Sequence, residues 1–134
     1  MGKEGSLFFV DLDDLKLIND TYGHQEGDLV IQQAAKTLTA TFRRMDIIAR
    51  LGGDEFAVLA INTTPGFFDT LRKRVNENLA VYNSDAGKGY RISMSIGAVE
   101  FDTRAPVSLE ELLGRADEVL YAEKKRRKEA KNAP

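Results

Sequence analysis

The 134-residue sequence has no cysteine and no tryptophan, and it has a single histidine. Without cysteine, disulfide bonds, thiolate metal sites and a cysteine nucleophile are excluded. No apolar run approaches the roughly 20 residues that cross a bilayer, and the first residues do not resemble a signal peptide. The formal net charge is only −2, with acidic and basic residues interspersed, which argues against nucleic-acid or membrane binding by this domain. We therefore expect a cytoplasmic location with neither kind of contact.

The composition that is present, 43% apolar and 30% charged residues, is typical of one compact fold. We expect a single domain over residues 1–134. Residues 1–5 resemble a cloning junction, so we expect the chain to be a piece of a larger protein. The strongly basic residues 124–134 are expected to form a frayed tail.

Apolar patterns in the first half predict a strand, two helices and a hairpin. A continuous apolar run at residues 6–10 predicts a buried strand that ends at Asp11. Residues 13–22 suit a short helix ended by Gly23, and apolar residues at helical spacing predict a second helix after it. Two strands follow, joined by residues 52–55 as a tight turn whose glycines are expected to have positive φ.

The second half predicts a helix, a strand and a last helix, and these complete the fold class. The expected features are a helix over residues 65–82, a polar loop at 83–88, a strand at 91–101 with a bulge at Gly97, and a final helix opened by a capping box of Ser108 and Glu111. The order β-α-α-β-β-α-β-α predicts one α/β sandwich, with a mostly antiparallel sheet that includes a β-hairpin and is flanked by helices.

Acidic residues stand where two of the predicted strands end. If the hairpin lies beside the first strand, Asp54 and Glu55 approach Asp11. Three converging carboxylates repel one another unless a divalent cation neutralises them, and oxygen ligands with substrate phosphates favour Mg²⁺ or Mn²⁺. The N–H groups at the start of the 13–22 helix, with Lys16 one turn in, could hold a phosphate. The pattern indicates phosphoryl or nucleotidyl transfer; a polar hairpin turn without a site is the alternative.

The residues FFVDLDDLKLINDTYGHQEGDLVI, followed by RLGGDEFAVL, resemble the GGDEF domain of bacterial diguanylate cyclases. Those enzymes condense two GTP molecules into cyclic di-GMP and release pyrophosphate. The resemblance extends from Leu7 through the helix that contains residues 115–121. It implies the α/β fold of nucleotidyl cyclases and polymerase palm domains, and a homodimer with one GTP per monomer and two Mg²⁺ or Mn²⁺ ions per GTP. It also implies an N-terminal sensor or receiver domain in the full-length protein.

The resemblance also implies roles for the acids. Asp11 and Asp54 would ligate the metals with the main-chain carbonyl of Leu12, and Glu55 would be a further ligand. Asp54 or Glu55 would receive the proton of the attacking ribose 3′-hydroxyl. Because a metal-bound acid is a weak base, much of this activation would come from the metal.

Substrate contacts follow from the same resemblance. Backbone amides of Asp14, Leu15 and Lys16 would cradle the β and γ phosphates. Asp28 would accept the neighbouring N1 and N2 donors of guanine, which adenine does not offer in that arrangement, and Asn19 would contact the base from the side. His24 and Lys124 match two further nucleotide contacts of the family, and Lys128 stands approximately where the family has an arginine.

A second nucleotide site is implied by Arg43 and Asp46, which match the family's inhibitory Arg-x-x-Asp motif five residues before Gly52. Arginine can pair with the O6 and N7 edge of guanine and with phosphate, and the aspartate can accept from N1 and N2. Arg74 would be a secondary contact from a neighbouring domain. Cyclic di-GMP bound there would slow turnover.

Two other interpretations stay open. The domain could be a non-catalytic cyclic di-GMP receptor, or a GTP-binding regulatory module that activates a fused phosphodiesterase. The intact set of nucleotide and metal positions favours the cyclase. One departure is that the family's Asp-x-Leu-Thr-Gly-Leu-x-Asn-Arg segment does not precede the first strand, so a helix and part of the substrate surround are expected to be missing.

Overall fold

The computed structural model describes residues 4–64, 66–105 and 107–131, which form four strands and four helices. In chain order these are β1 (Glu4–Leu12), α1 (Leu15–Tyr22), α2 (His24–Thr41), β2 (Ile47–Arg50), β3 (Glu55–Ile61), α3 (Phe67–Ala86), β4 (Met94–Asp102) and α4 (Leu109–Lys131). The predicted element order and fold class are confirmed. No helix within the described ranges is long and apolar enough to cross a membrane.

The sheet has the order β2-β3-β1-β4, and every neighbouring pair is antiparallel. The β2–β3 hairpin lies beside β1, as expected from the buried character of the first strand. In this register Asp11 of β1 lies directly across from Glu55 of β3. Side chains directly opposite each other in an antiparallel pair share one face of the sheet. The register therefore places both carboxylates on the same face at one end of the sheet.

The two faces of the sheet are covered by different helices. Phe8 and Val10 are fully buried against α1, α2 and α3, and Phe8 contacts the rings of Phe42, Phe67 and Phe68. Alternate residues of β1 point to the other face because successive side chains in a strand alternate. There Leu7 and Phe9 pack against the apolar stripe of α4, formed by Leu112, Ala116 and Leu120. This packing holds α4 across the end of the sheet that carries Asp11.

The predicted bulge at Gly97 is wrong. β1 and β4 pair without interruption from Leu12 opposite Met94 to Glu4 opposite Asp102. The apolar pattern changes phase because β4 is buried on both faces: Met94 and Ile96 belong to the core under α1, α2 and α3, and Val99 to the core under α4. A Cβ at Gly97 would lie 2.7 Å from the backbone nitrogen of Leu120. Glycine is therefore required by the close approach of α4 to the sheet.

Several predicted boundaries also differ. The polar residues 83–86 belong to α3, which ends before Gly87 at φ 62°, because the side chain of Asn83 pairs with both backbone groups of Ile92. Residues 124–131, where a frayed tail is expected, are part of α4, and 132–134 lie outside the described residues, as does Pro65. One half of the predicted capping box is present, since the Ser108 hydroxyl accepts a 3.1 Å hydrogen bond from the backbone N–H of Glu111, while the Glu111 carboxylate accepts from Arg115.

Candidate functional site

Three acids meet where β1 ends and β3 begins. Carboxylate oxygens of Asp11, Asp54 and Glu55 all lie within 4.8 Å of one another. Asp11 and Glu55 face each other across the two strands, and the turn is tied to β1 because the backbone carbonyl of Asp54 accepts a 2.8 Å hydrogen bond from Leu12 N–H. The structure thus brings together the acids that the sequence predicted to converge.

Asp11 is the most buried of these acids. Its Oδ2 forms an ion pair with the Nζ of Lys124 on α4. Its Oδ1 is buried and has no hydrogen-bond partner among the described residues. Burial raises the pKa of Asp11 from 3.8 to about 6, while the Lys124 ammonium opposes this rise and the Asp54 carboxylate adds to it. A buried carboxylate oxygen without a partner is costly, and a hard cation would satisfy it. The donor set therefore fits Mg²⁺ or Mn²⁺.

The turn between β2 and β3 is held by Arg50. Its guanidinium donates to the backbone carbonyls of Gly52 and Gly53 at 2.9 and 3.1 Å. The expectation of positive φ at these glycines is wrong, because Gly23, Gly66 and Gly87 are the described glycines with that conformation. A Cβ at Gly52 or Gly53 would have no heavy atom within 4 Å. The fold itself therefore makes no steric demand for glycine at this turn, which leaves open space beside the acids.

A cleft of about 750 Å³ opens between the acids, the start of α1 and the outer part of α4. The predicted site residues that line it are Leu12, Asp14, Leu15, Lys16, Asp54, Lys124 and Lys128. Asp14 has φ 60° and no side-chain hydrogen bond to the first turn of α1. The first N–H groups of a helix have no partner inside the helix, so the cleft combines free N–H donors with three lysines. This combination suits a phosphate chain.

Sequence reasoning missed how the cleft is anchored to β4. The carboxylate of Asp13 accepts 2.8 Å hydrogen bonds from the hydroxyls of Ser93 and Ser95. These bonds fix the turn that leads from Asp11 into α1. Alternation of acids at positions 11 and 13 was visible in the sequence, but the two serines lie about 80 residues away. No local pattern pointed to them.

The expected guanine contacts lie further along α1 and α2. Asn19 is half-buried on α1, and a Cβ at Gly27 would lie 1.7 Å from its Oδ1. A side chain at position 27 would therefore displace the Asn19 side chain from its present position, a constraint that sequence reasoning missed. Asp28 and His24 are exposed near the start of α2. None of these three expected base contacts lines the 750 Å³ cleft.

A polar cluster fastens the loop before β4 onto the same two helices. Glu26 accepts a 2.7 Å hydrogen bond from the hydroxyl of Tyr90 and pairs with Lys88 at 2.7 Å. The Tyr22 hydroxyl donates to the carbonyl of Gly89 at 3.0 Å, and the Tyr22 and Tyr90 rings are 5.0 Å apart. The hydrogen bond from Lys88, followed by that from Tyr90, lowers the pKa of Glu26. The cluster steadies the junction of α1 and α2 from outside the sequence motifs.

Arg43 and Asp46 pair with each other in the turn before β2. The Asp46 side chain is fully buried and accepts hydrogen bonds from the Arg43 guanidinium at 2.9 and 3.3 Å and from the Arg43 backbone N–H at 2.8 Å. The same guanidinium donates to the carbonyl of Ile61 and lies over the ring of Phe67. Arg74 is exposed on α3 and makes no ion pair with a described residue. In this state Arg43 and Asp46 have a structural role.

Comparison with known proteins identifies the family of the chain. The family model for the diguanylate cyclase GGDEF domain matches residues 1–130. Diguanylate cyclase A of Treponema denticola is 38% identical in an alignment of 125 positions that covers 89% of this chain and 32% of that protein. The chain therefore spans about a third of the length of that curated relative.

Solved structures show the same fold. The GGDEF domain of TpbB from Pseudomonas aeruginosa has a TM-score of 0.80 and 29% identity, and the match covers 92% of this chain and 73% of that one. The GGDEF domain of DgcB from Caulobacter crescentus, solved in complex with c-di-GMP, has a TM-score of 0.75 and 27% identity over 92% of this chain and 74% of that one. The fold, the acidic hairpin and these matches together show that the chain belongs to the GGDEF domain family of diguanylate cyclases.

Proposed function

We propose that this domain condenses two GTP molecules into cyclic di-GMP and releases two pyrophosphates. The observation that carries the proposal is the convergence of Asp11, Asp54 and Glu55 beside a cleft with free helix N–H groups and lysines. A metal-binding acidic cluster next to a phosphate-binding surface is the arrangement that nucleotidyl transfer requires.

Two Mg²⁺ or Mn²⁺ ions per GTP would be held by Asp11, Asp54 and the Leu12 carbonyl, with Glu55 as a further ligand. The unpartnered Oδ1 of Asp11 supports this assignment, since the protein leaves an acceptor free at that place. When bound, the ions lower the pKa of the 3′-hydroxyl and offset the charge that develops on the transferred phosphoryl group. The carboxylates fix where this positive charge is placed.

The start of α1 and the two lysines would hold the triphosphate. The backbone N–H groups of Asp14, Leu15 and Lys16 would bind the β and γ phosphates, and Lys124 and Lys128 would neutralise charge from the opposite wall. The base would extend along α1 towards Asn19, Asp28 and His24. Asp28 would select guanine because its carboxylate can accept from both N1 and N2.

Each transfer joins the 3′-oxygen of one GTP to the α-phosphorus of the other. The bond between the α-phosphorus and the bridging oxygen breaks, pyrophosphate leaves, and the hydroxyl proton passes to Asp54 or Glu55. One chain binds one GTP, so two chains must face each other for both bonds to form. Turnover therefore depends on a homodimer, whose encounter an N-terminal sensor or receiver domain would control in the cytoplasm.

The test is to incubate the nucleotide-free chain with GTP and Mg²⁺ or Mn²⁺ and to measure cyclic di-GMP and pyrophosphate across protein concentrations. We expect the rate to rise faster than linearly with protein, because the active unit is a dimer. Tight binding of cyclic di-GMP without product formation would instead identify a receptor. Binding of GTP without turnover would identify a regulatory module.

Product inhibition is the finer part of the proposal. Cyclic di-GMP would bind at Arg43 and Asp46, with Arg74 of a neighbouring domain as a secondary contact. Support comes from the motif and from the DgcB domain, whose solved structure contains c-di-GMP. Because Arg43 already pairs with Asp46, product would compete for the guanidinium and for the Asp46 carboxylate. Arg74→Ala leaves that turn intact, so it should weaken inhibition by added cyclic di-GMP without changing the uninhibited rate.

A further inference from the structure

Lys124 is placed at two functional surfaces at once. Its ammonium pairs with Asp11 in the acidic cluster, and its side chain also lines the 750 Å³ cleft with Lys16 and Lys128. On its other side Lys124 borders a smaller cleft of about 460 Å³, lined by Asp11 and Glu55 and by acids of α4. The lysine therefore separates two acid-lined spaces.

The pair between Lys124 and Asp11 is the one that the surrounding charges favour. Among the described residues, no ion pair other than that with Asp11 is found for Lys124. Its neighbour on the helix, Glu123, is already paired with Arg72 at 2.5 Å and with Arg126 at 2.9 Å. At Asp11 the Lys124 charge also offsets that of two further acids, because carboxylate oxygens of Asp54 and Glu55 lie within 4.8 Å of that of Asp11.

The helix is fixed, but the side chain can move. Leu120, one turn before Lys124, is buried against the sheet, which holds the backbone of α4 in place. The Lys124 side chain is 40% exposed, whereas that of Asp11 is 9% exposed. A lysine ammonium sits on a flexible four-carbon stem and binds as a point charge, so it can leave Asp11 for another anion in the same cleft without movement of the helix.

We propose that Lys124 is an exchangeable counterion: it neutralises the acidic cluster while the site is free of metal, and it transfers to a substrate phosphate when a divalent cation takes its place. The inference rests on the metal site of the proposed function. Lys124 pairs with Oδ2 of Asp11, and a divalent cation bound at the free Oδ1 would repel the ammonium at close range, which weakens the Lys124–Asp11 pair. A phosphate in the cleft offers the displaced ammonium a new partner.

The consequence is that metal and nucleotide bind better together than separately. A free cation must displace Lys124 and leave it unpaired, whereas a cation that arrives with a triphosphate brings the lysine's new partner. Such coupling is reciprocal in binding free energy. The counterion thus makes the site select the metal–nucleotide complex over free metal. Lys124 is a positioning residue in this step as well as a phosphate contact.

The test is the binding of Mn²⁺ to the nucleotide-free chain, followed by electron paramagnetic resonance. Removing an opposite charge in contact with a carboxylate changes its affinity for a cation by about tenfold or more, so Lys124→Gln should bind Mn²⁺ about tenfold more tightly than the wild type. Lys124→Arg keeps the charge and should stay close to the wild type.

Two matched controls separate this effect from general charge. Lys128→Gln removes the same charge from the same cleft, one turn further on, and Lys125→Gln removes it from an exposed neighbour on α4. Both should change Mn²⁺ affinity less than about twofold, since exposed charges further away are screened. Equal or weaker Mn²⁺ binding by Lys124→Gln, or an equal gain in Lys128→Gln, would overturn the proposal.

Thermal unfolding provides a second measurement on the same variants. Mn²⁺ should raise the Tm of Lys124→Gln more than that of the wild type, because at a given concentration a ligand that binds more tightly stabilises the folded chain more, with the logarithm of concentration over Kd. If the variant is unfolded without metal, Mn²⁺ should restore its fold at concentrations that leave the wild type unbound. Failure of Mn²⁺ to do so would contradict the proposal.

The outcome is separate from that of the cyclase assay. A wild-type chain that makes no cyclic di-GMP, together with tighter Mn²⁺ binding by Lys124→Gln, would refute the proposed function and support the counterion. Normal turnover by the wild type, together with unchanged Mn²⁺ binding by Lys124→Gln, would support the proposed function and refute the counterion.

Discussion

Two ion pairs of this protein each involve a buried aspartate, and they differ in what they leave unsatisfied. Asp46 pairs with Arg43, three residues away, and accepts three hydrogen bonds from it. Asp11 pairs with Lys124, 113 residues away, and keeps one buried oxygen without a partner among the described residues. Both oxygens of Asp46 are thus hydrogen-bonded, whereas one oxygen of Asp11 remains a free acceptor.

The difference teaches what each pair is for. A fork-shaped guanidinium can fill both oxygens of a carboxylate, so the Arg43–Asp46 turn is rigid and its charge is fully used. A lysine ammonium fills one position and can be exchanged for another cation. The Arg43–Asp46 turn is thus closed by its own contacts, for which a ligand must compete, whereas Asp11 has an acceptor free for a ligand.

The largest expected effect is on turnover at the open site. Asp54→Asn removes one carboxylate from the cluster while keeping its shape, so we expect cyclic di-GMP formation to fall by at least about a hundredfold. Mn²⁺ binding should weaken in parallel. Chromatographic measurement of product checks the first and paramagnetic resonance the second. Asp69→Asn, an exposed acid on α3, is the control; turnover like the wild type in Asp54→Asn would refute the metal site.

The next largest effect is on stability at the closed pair. Asp46→Ala leaves the Arg43 guanidinium and its backbone N–H without their acceptor, which should lower the free energy of unfolding by about 2 kcal/mol. Urea unfolding measures this change. If Asp46→Ala lowered the free energy of unfolding no more than Asp69→Ala does, the structural role of the Arg43–Asp46 pair would be contradicted.

The pH dependence of stability distinguishes the open site in the absence of metal. Burial first of all raises the pKa of Asp11 from 3.8 to about 6, against the influence of Lys124. Between these values the folded chain holds a proton that the unfolded chain has lost, so raising the pH favours unfolding. Relative to Asp11→Asn, the wild type should therefore lose stability as the pH rises from about 4 to about 6 and change little above that.

Urea unfolding with a chelator present, repeated across this pH range, checks the prediction. Saturating Mn²⁺ holds the Asp11 carboxylate ionised, so in its presence the difference in stability between the wild type and Asp11→Asn should no longer change with pH. A difference that is flat with pH in the chelator would contradict the raised pKa.

The smallest expected effect comes from exchanging one basic side chain for the other at Arg43 and at Lys124. Arg43→Lys keeps the charge but loses the fork that fills both oxygens of Asp46, so it should cost about 1 kcal/mol of stability. Lys124→Arg should cost less, because the Asp11 pair uses a single ammonium contact. Urea unfolding of both variants at neutral pH measures the two losses. A larger loss for Lys124→Arg would reverse the comparison.

Much of the fold was predictable because its cues are local. The apolar run that ends at Asp11 and the alternating strands on either side of residues 52–55 fix a strand and a hairpin through side-chain periodicity. The convergence of Asp11, Asp54 and Glu55 followed once the hairpin was placed beside the first strand. Two of the predictions that failed concern features set by remote contacts.

Gly97 illustrates these failures. The apolar pattern of the strand changes phase at Gly97, which suggested a bulge. Glycine is instead required there because the backbone of α4 lies against this residue. The polar residues after Tyr82 suggested a loop, whereas Asn83 is held in the helix by Ile92. In both cases a tertiary contact overrode a local preference that was correctly identified in the sequence.

The sequence by itself determined the order of elements, the sheet position of the acids and the family to which the chain belongs, since each depends on residues close together along the chain. Only the tertiary structure decided that Asp11 pairs with Lys124, that Asp13 is held by Ser93 and Ser95, and that one carboxylate oxygen is left over. These contacts join residues 80 to 113 positions apart. The packing of α4 and β4 around the end of β1 brings them together, and no local rule specifies that packing.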